Sequence, residues 1–286
     1  MKKISVKKLI GVILSVIATT VIIWIFWANT ALELNTYKVY NPSLPKSFNG
    51  FKIAQISDLH NAEIGKDNHK LLETLKTAKP DIIVITGDLV DSRTTNIEIA
   101  LSFIKNAIEI APCYFITGNH EARITEYEKM KNSFTDLGIF VLEDEKVKIE
   151  TEGSSITLIG VNDPSFTTDY LFGDSAEVIR SKLKSLTEEN DGYTILLSHR
   201  PELFDVYVDY DIDLTLSGHA HGGQFRLPFA GGIFAPNQGF FPKYDGGSYL
   251  NNNSTMIVSR GIGNSLFPLR FNNRPEVVLI ELIKEK

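Results

Sequence analysis

Read for its apolar and polar positions, the chain divides in two. One long uncharged run precedes a body in which short apolar runs alternate with amphipathic stretches. From Leu9 to Ala28, LIGVILSVIATTVIIWIFWA carries no charge, and only Ser15, Thr19 and Thr20 are noticeably polar. At about 1.5 Å rise per residue, a helix of about 20 residues crosses a hydrocarbon core of about 30 Å. The pattern predicts a transmembrane helix over 9–28. A cleaved signal peptide is the alternative, weakened by the length of the run and by the lack of an A-x-A site after it. A buried core helix fits less well, since no polar face interrupts the run. Lys2, Lys3, Lys7 and Lys8 precede it, and Trp24 and Trp27 suit the far interface. Residues 1–8 are therefore read as a basic cytoplasmic segment at a cell membrane, with the body on the extracytoplasmic side.

A short extended stretch, taken as a linker over 29–50, leads to a body over 51–286. Its β-type runs are FKIAQIS (51–57), DIIVITG (81–87), CYFITG (113–118), ITLIGV (156–161), YTILLS (193–198), DLTLSG (213–218), TMIVSRG (255–261) and EVVLIEL (276–282). Amphipathic stretches at 69–78, 96–108 and 175–186 separate several of them. Continuous apolar strands between such helices predict an α/β protein whose sheets are covered by helices. The segment 146–151 alternates charged and apolar residues, which predicts a strand at a sheet edge. The richer β content of the later half predicts two packed sheets with helices outside.

Composition changes this picture in three ways. An apolar content of 43% and a charged content of 22% fit a globular protein. The lone cysteine, Cys113, excludes an internal disulfide framework and a cysteine zinc cluster. Net charge is −6, but Lys2, Lys3, Lys7 and Lys8 all precede the first acidic residue, Glu33. The remaining 25 basic residues face 35 acidic ones, a net of about −10, and so acidic a body is a poor general binder of nucleic acid.

The chemistry stands at the strand ends. QISDLH supplies Asp58 and His60, ITGDLVD supplies Asp88 and Asp91, FITGNHE supplies Asn119 and His120, LLSHRP supplies His199, and LSGHAH supplies His219 and His221. Five of the six histidines follow a β-type run, and His69 lies on a helical stretch and is read as structural. Ligand sites in α/β sheets form beyond the carboxyl ends of strands. Any one such Asp is ordinarily a turn or a helix cap, and any one His an ordinary surface or core residue. Five strand ends delivering Asp, Asn or His together are not explained one at a time. Asp, His and Asn without Cys suit divalent ions such as Mn²⁺, Fe²⁺ or Zn²⁺. There are enough ligands for two ions, and a carboxylate shared between them would hold the ions about 3.5–4 Å apart, an arrangement used in phosphate-ester hydrolysis.

The ordered set Asp58-Leu59-His60, Gly87-Asp88-Leu89-Val90-Asp91, Gly118-Asn119-His120-Glu121, His199 and Gly218-His219-Ala220-His221 resembles the calcineurin-like metallophosphoesterase superfamily. The resemblance covers about 51–282, and HGGQFRLP and RFNNRPE extend it toward the membrane-associated bacterial phosphodiesterase branch of YkuE/YaeI type. It implies a four-layer α/β/β/α sandwich. It also implies one ion on Asp58, His60 and His221 with Asp88 bridging, and a second on Asp88, Asn119, His199 and His219. Asp91 and Glu121 would orient these ligands. His120 would face the leaving-group oxygen, as a general acid or as a donor to the transition state. Gly222 and Gly223 would let the turn pass close to the site.

The resulting expectation is a membrane-anchored two-metal hydrolase in which a metal-bound hydroxide attacks a phosphodiester or pyrophosphate. Its substrate is a phosphate ester, with a lipid-linked one as an option, and no obligate protein partner is evident. A phosphomonoesterase or phosphoprotein phosphatase is the alternative within the same class. A non-catalytic interaction scaffold on the same fold is a further alternative, which loss of several ligands would favour and none is lost; a metallopeptidase is disfavoured because H-E-x-x-H is absent. Phe229, Ile233, Phe234, Phe240 and Phe241 lie in RLPFAGGIFAPNQGFFPKY, which reads as loop. These aromatics either pack the long loop onto the body or, for Phe240 and Phe241, form an apolar rim that receives acyl chains, and Arg270 and Arg274 suit contacts to a head-group phosphate or ordinary surface pairing.

Overall fold

The computed structural model describes residues 5–167, 174–188, 190, 192–264 and 267–285. Its helices are α1 (Val6–Thr30), α2 (His69–Ala78), α3 (Ile97–Ala107), α4 (Tyr127–Leu137), α5 (Ser175–Thr187) and α6 (Phe204–Asp209). Its first strands are β1 (Glu33–Asn41), β2 (Lys52–Ile56), β3 (Ile82–Thr86), β4 (Cys113–Ile116), β5 (Phe140–Val141), β6 (Glu145–Thr151), β7 (Ser154–Gly160), β8 (Thr194–Leu197) and β9 (Leu214–Ser217). Two small ladders follow, β10 (Arg226–Leu227) with β11 (Gly231–Gly232) and β12 (Phe234–Ala235) with β13 (Gly239–Phe240). The last strands are β14 (Gly247–Asn251), β15 (Ser254–Val258) and β16 (Glu276–Lys284).

Two six-stranded sheets form the body, in the orders β1-β16-β2-β3-β4-β5 and β14-β15-β9-β8-β7-β6. The central strands of both run parallel. Side chains alternate across each strand. Ile53 and Val84 therefore point between the sheets, together with Ile195, Leu197, Leu214, Leu216 and Ile257 from the other side. Ile56, Ile83 and Ile85 point outward onto Leu71 and Leu75 of α2, Phe103 of α3 and Phe134 of α4. On the opposite face Ile159, Leu196 and Met256 meet Ile179 and Leu183 of α5 and Phe204 of α6. The layers are α/β/β/α, as expected. The alternating segment at 146–151 falls within β6, an edge strand.

The structure corrects the expected linker over 29–50. Glu33–Asn41 is instead the edge strand of the first sheet, parallel to the carboxyl-terminal strand from Glu33↔Glu276 to Asn41↔Lys284. The sequence hides this because half of β1 faces solvent, so ELNTYKVYN lacks an apolar run. Leu44 and Phe48 follow it into the core between the sheets.

Within α1 the apolar residues from Val6 to Phe26 are largely exposed, and the helix is long and apolar enough to cross a membrane. Only one face of its last two turns, with Trp24, Ile25, Ala28 and Asn29, is covered.

Candidate metal centre

Every expected site residue follows a strand of one of the two sheets at its carboxyl end. Asp58 and His60 follow β2, Asp88 follows β3, Asn119 and His120 follow β4, His199 follows β8, and His219 and His221 follow β9. All eight are buried. Asp58, His60, Asp88, His219 and His221 adopt left-handed backbone, with φ of 51°, 46°, 54°, 66° and 49°. For residues other than glycine this costs about 1 kcal/mol or more each, and it persists where the surroundings over-determine it. Here they do. The Asp58 N–H donates to Gly87 O at 3.0 Å, the His60 N–H to Asp88 O at 3.0 Å, and the Gly263 N–H to Asp58 O at 2.7 Å. The buried Glu121 carboxylate accepts from the N–H groups of Gly118 at 2.7 Å, Asp88 at 2.8 Å and Val90 at 3.3 Å, tying two turns together.

Two glycines are dictated by close approach. A Cβ on Gly218 would lie 1.9 Å from Ser57 Oγ and 2.4 Å from Asp58 Oδ2. A Cβ on Gly222 would lie 2.2 Å from Asn273 Oδ1, so this glycine admits a neighbouring side chain that braces the turn. Asn273 Nδ2 donates to His221 O at 2.7 Å.

The side chains converge in two groups, Asp58–His60–Asp88–His221 and Asp88–His199–His219, whose candidate ligand atoms lie within 4.8 Å of one another in each group. In the first, His60 Nε2 and His221 Nε2 are 3.2 Å apart, and Asp58 Oδ1 is 3.2 Å from His221 Nε2. In the second, Asp88 Oδ2 is 3.2 Å from His199 Nε2, which is 3.2 Å from His219 Nδ1.

Neighbours decide the tautomers. His199 Nδ1 is 2.7 Å from Thr86 O, and a carbonyl only accepts, so Nδ1 carries a proton. His219 Nε2 is 3.1 Å from Arg200 Nη1 and, closer, 2.8 Å from Asn237 Oδ1, which itself accepts from Arg200 at 2.7 Å; the shorter contact assigns the proton to Nε2. In the neutral rings, His199 Nε2 and His219 Nδ1 then present lone pairs to each other. Two lone pairs facing across 3.2 Å beside a carboxylate are stable only around a positive charge. The same demand lifts His199, against its burial, to about 10 through the charge and hydrogen bond of Asp88 and the charges of Asp58 and Asp163. A divalent ion meets it with N and O donors of ordinary type. The Oδ1 of Asn119 is buried beside this group's turns and has no hydrogen-bond partner among the described residues.

The remaining ring, His120, packs edge-on against His60 with ring centres 4.4 Å apart. Its Nδ1 accepts from the Ser92 N–H at 3.0 Å, which leaves the proton of the neutral ring on Nε2. Burial outweighs the pull of Asp88 and brings its pKa down to about 4. Asp91 lies 3.7 Å from this ring and mainly holds Arg93, through Arg93 Nε at 2.9 Å.

A second tier of residues stands behind the ligands. Arg200, directly after His199, is almost fully buried and forms a bidentate pair with Asp163, at 2.5 and 2.8 Å. Asp163 follows β7, so the strand-end rule applied to the other motifs would have flagged it. Asn237 carried no signal, since it sits at the turn between β12 and β13, far from any strand-end motif. Arg270 and Arg274 are engaged within the protein, and the charge of Arg270 acts on Asp58 and His221. Arg270 is buried, giving its guanidinium to Gly263 O and, at 2.8 Å, to Arg260 O. Arg274 donates to Ala31 O at 2.8 Å and Glu33 Oε1 at 2.8 Å. Phe240 and Phe241 are 73% and 64% exposed.

A four-layer sandwich with Asp, His and Asn converging on its strand ends defines a metal-dependent phosphoric-ester hydrolase. Residues 51–223 match the family described as calcineurin-like phosphoesterase, and the chain belongs to it. It is 30% identical over 257 residues to the uncharacterised metallophosphoesterase YkuE of Bacillus subtilis, covering 88% of this chain and 85% of that protein. It is 30% identical over 208 residues to the phosphodiesterase YaeI of Escherichia coli, covering 72% and 71%. A bovine transmembrane protein with a metallophosphoesterase domain is 29% identical over 94% of this chain and 62% of its own length. Among solved structures, TT1561 of Thermus thermophilus superposes with a TM-score of 0.52 at 15% identity, over 74% of this chain and 90% of that one, a likeness of fold.

Proposed function

We propose that the protein hydrolyses a phosphodiester or pyrophosphate bond with two divalent ions, Asp58, His60, His221 and Asp88 holding one and Asp88, Asn119, His199 and His219 the other. The observation that carries this reading is the membership of Asp88 in both donor groups. When bound, the ions (Mn, Fe or Zn) would supply an ionised water as nucleophile and neutralise phosphoryl oxygens. The chain does the rest. Thr86 O and Asn237 hold the His199 and His219 rings with lone pairs inward. His120 donates from Nε2 to the leaving-group oxygen as charge develops there. With its pKa near 4 the ring is neutral at ordinary pH, which favours the hydrogen-bond donor over the general acid.

In this reading α1 is a retained anchor with its amino terminus in the cytoplasm and the catalytic body outside. Substrate specificity extends to a lipid-linked phosphate ester, supported by the exposed Phe240 and Phe241 on the hairpin whose Asn237 meets His219. The test is metal analysis of the purified full-length protein together with turnover on phosphomonoesters, diesters and lipid pyrophosphates. About two divalent ions per chain, loss of turnover on chelation and preference for a diester or pyrophosphate are expected. Turnover that survives exhaustive chelation overturns the metal mechanism.

A further inference from the structure

The last turns of α1 are clamped to one loop of the body. The Trp24 ring meets the Phe271 ring edge-on at 4.7 Å. The Asn29 side-chain amide pairs with the Arg270 backbone in both directions, at 3.0 and 2.7 Å. Arg274 closes the end of the helix through Ala31 O and Leu32 O, with its guanidinium 4.5 Å from the Trp27 ring centre. The loop therefore stands at the height of Trp24 to Asn29 along the helix.

That height can be compared with a bilayer. From Lys8, the last charge before the uncharged run, Trp24 is 16 residues along, or about 24 Å of helix. The hydrocarbon core is about 30 Å thick. With Lys8 at the cytoplasmic edge of the core, Trp24 and the Phe271 ring packed edge-on against it lie about 6 Å inside the opposite edge, Asn29 and the Arg270 backbone lie at about that edge, and any tilt of α1 takes them deeper.

The loop's surface has the chemistry that this depth demands. Phe267, Leu269 and Phe271 are 53%, 47% and 38% exposed. The one charged residue among them, Arg270, is withdrawn to 1% exposure, where its terminal nitrogens donate to the carbonyls of Arg260 and Gly263 and its charge acts on Asp58 and Glu276.

We propose that the Phe267–Phe271 loop is immersed in the same leaflet as the carboxyl-terminal end of α1, so that helix and loop together seat the catalytic body on the lipid surface. This rests on the reading of α1 as a membrane anchor. The loop is also wired to the metal centre. Gln224 Nε2 donates to Phe267 O at 2.9 Å and Leu269 O at 2.8 Å, and Asn273 Nδ2 donates to Gln224 O at 3.2 Å and to His221 O at 2.7 Å. The membrane contact thus sets the height of the His219–His221 turn above the lipid head groups.

The test uses the full-length protein in phospholipid vesicles. Cys113 is replaced by Ser, and a single cysteine is placed at Leu269, Phe267, Ile13 or Lys148 and labelled with an environment-sensitive fluorophore. Labels at Leu269 and Phe267 are expected to be quenched at least twofold by acyl-chain nitroxide lipids and shielded from aqueous iodide. The Ile13 label should behave likewise, and the Lys148 label on edge strand β6 should show the reverse. Iodide access at both loop positions, with Ile13 in the acyl region, overturns the loop's immersion and leaves the anchor intact. Iodide access at Ile13 overturns the anchor and the inference with it. Shielding from both quenchers at the loop means that protein and not lipid covers it, which also overturns the inference. Hydrolysis of a small soluble diester by Phe267→Ser with Leu269→Ser should remain within about twofold of the parent, which shows that the body is folded in the comparison.

Discussion

The turn from His219 to Gln224 divides two regions of opposite character. On its inner side, carboxylates and imidazoles are buried, with lone pairs turned toward each other. On its outer side, Phe240, Phe241, Phe267 and Leu269 are exposed. Charged groups buried and rings exposed are both unfavourable arrangements in water. The fold tolerates them by different means. The inner region is over-determined, with left-handed turns locked by backbone hydrogen bonds and by Glu121. In the outer region the backbone is held through Gln224 and Asn273, and the side chains are left without cover. In the proposed reading each region is completed by something outside the chain, ions in one case and lipid in the other. Substitutions inside should therefore act on chemistry and metal content, and those outside on where the enzyme works.

The largest effect is expected at Asp88, which serves both donor groups. Asp88→Asn should lower kcat on a soluble diester by more than about 10²-fold and by more than any change at His60, His199, His219 or His221. Metal content measured on the same samples should fall below two ions per chain. Parental activity in this variant would break the comparison on its inner side.

His120→Ala comes next, with a loss of about 10²–10³ in rate at unchanged metal content, largest for poor leaving groups. The sign of the His120 shift adds a pH test. Burial lowers the pKa to about 4, so protonation occurs only below that value and the ring is neutral from pH 6 to 9. The ratio of parental to variant rate should therefore stay flat over that window. A ratio that falls steadily with rising pH would mean that the protonated ring is the working form.

Asp163→Ala probes the tier behind the ligands. It leaves Arg200 buried without its bidentate carboxylate, at a cost of about 3–5 kcal/mol in unfolding free energy. Burial acts against the Asp163 carboxylate, but the charge and hydrogen bonds of Arg200 bring its pKa down to about 2. The pair's contribution is thus present above the unfolded value near 3.8 and is lost as pH falls toward 2. Denaturant titration at pH 7 and pH 3 measures both, and equal stabilities of parent and variant at pH 7 would remove Arg200–Asp163 from the account.

The smallest effect on the body is expected at the outer rim. Phe240→Ser with Phe241→Ser should change thermal stability little, within about 0.5 kcal/mol, and should spare a soluble diester. Hydrolysis of a lipid-linked phosphate ester in bilayers should fall. A drop in stability with equal loss on both substrates would show that these rings are packing elements, and the two regions would then not differ in kind.

Much of the inner region was legible in the chain because its information is local. A buried parallel strand is a continuous apolar run, and the residues just after it reach the sheet's carboxyl edge whatever the rest of the fold does. Asp58, His60, Asp88, Asn119, His120, His199, His219 and His221 could therefore be named from strand ends alone, as could the layered class of the fold. Edge strand β6 showed itself by its charge alternation. The uncharged run of α1 was legible for the same reason, since length and apolarity suffice. Tertiary structure alone decided what depends on distant partners. β1 pairs with β16 across the whole chain, so its half-exposed sequence gave no strand signal. Asn237 comes to His219 from a hairpin turn, and its role exists only through that approach. Arg270 looked like a surface cation until the fold turned it inward onto backbone carbonyls, and its backbone meets Asn29 across 241 residues. Hydrophobic periodicity records whether a residue is buried. Only the packing of one segment on another settles which distant groups meet and which faces remain bare.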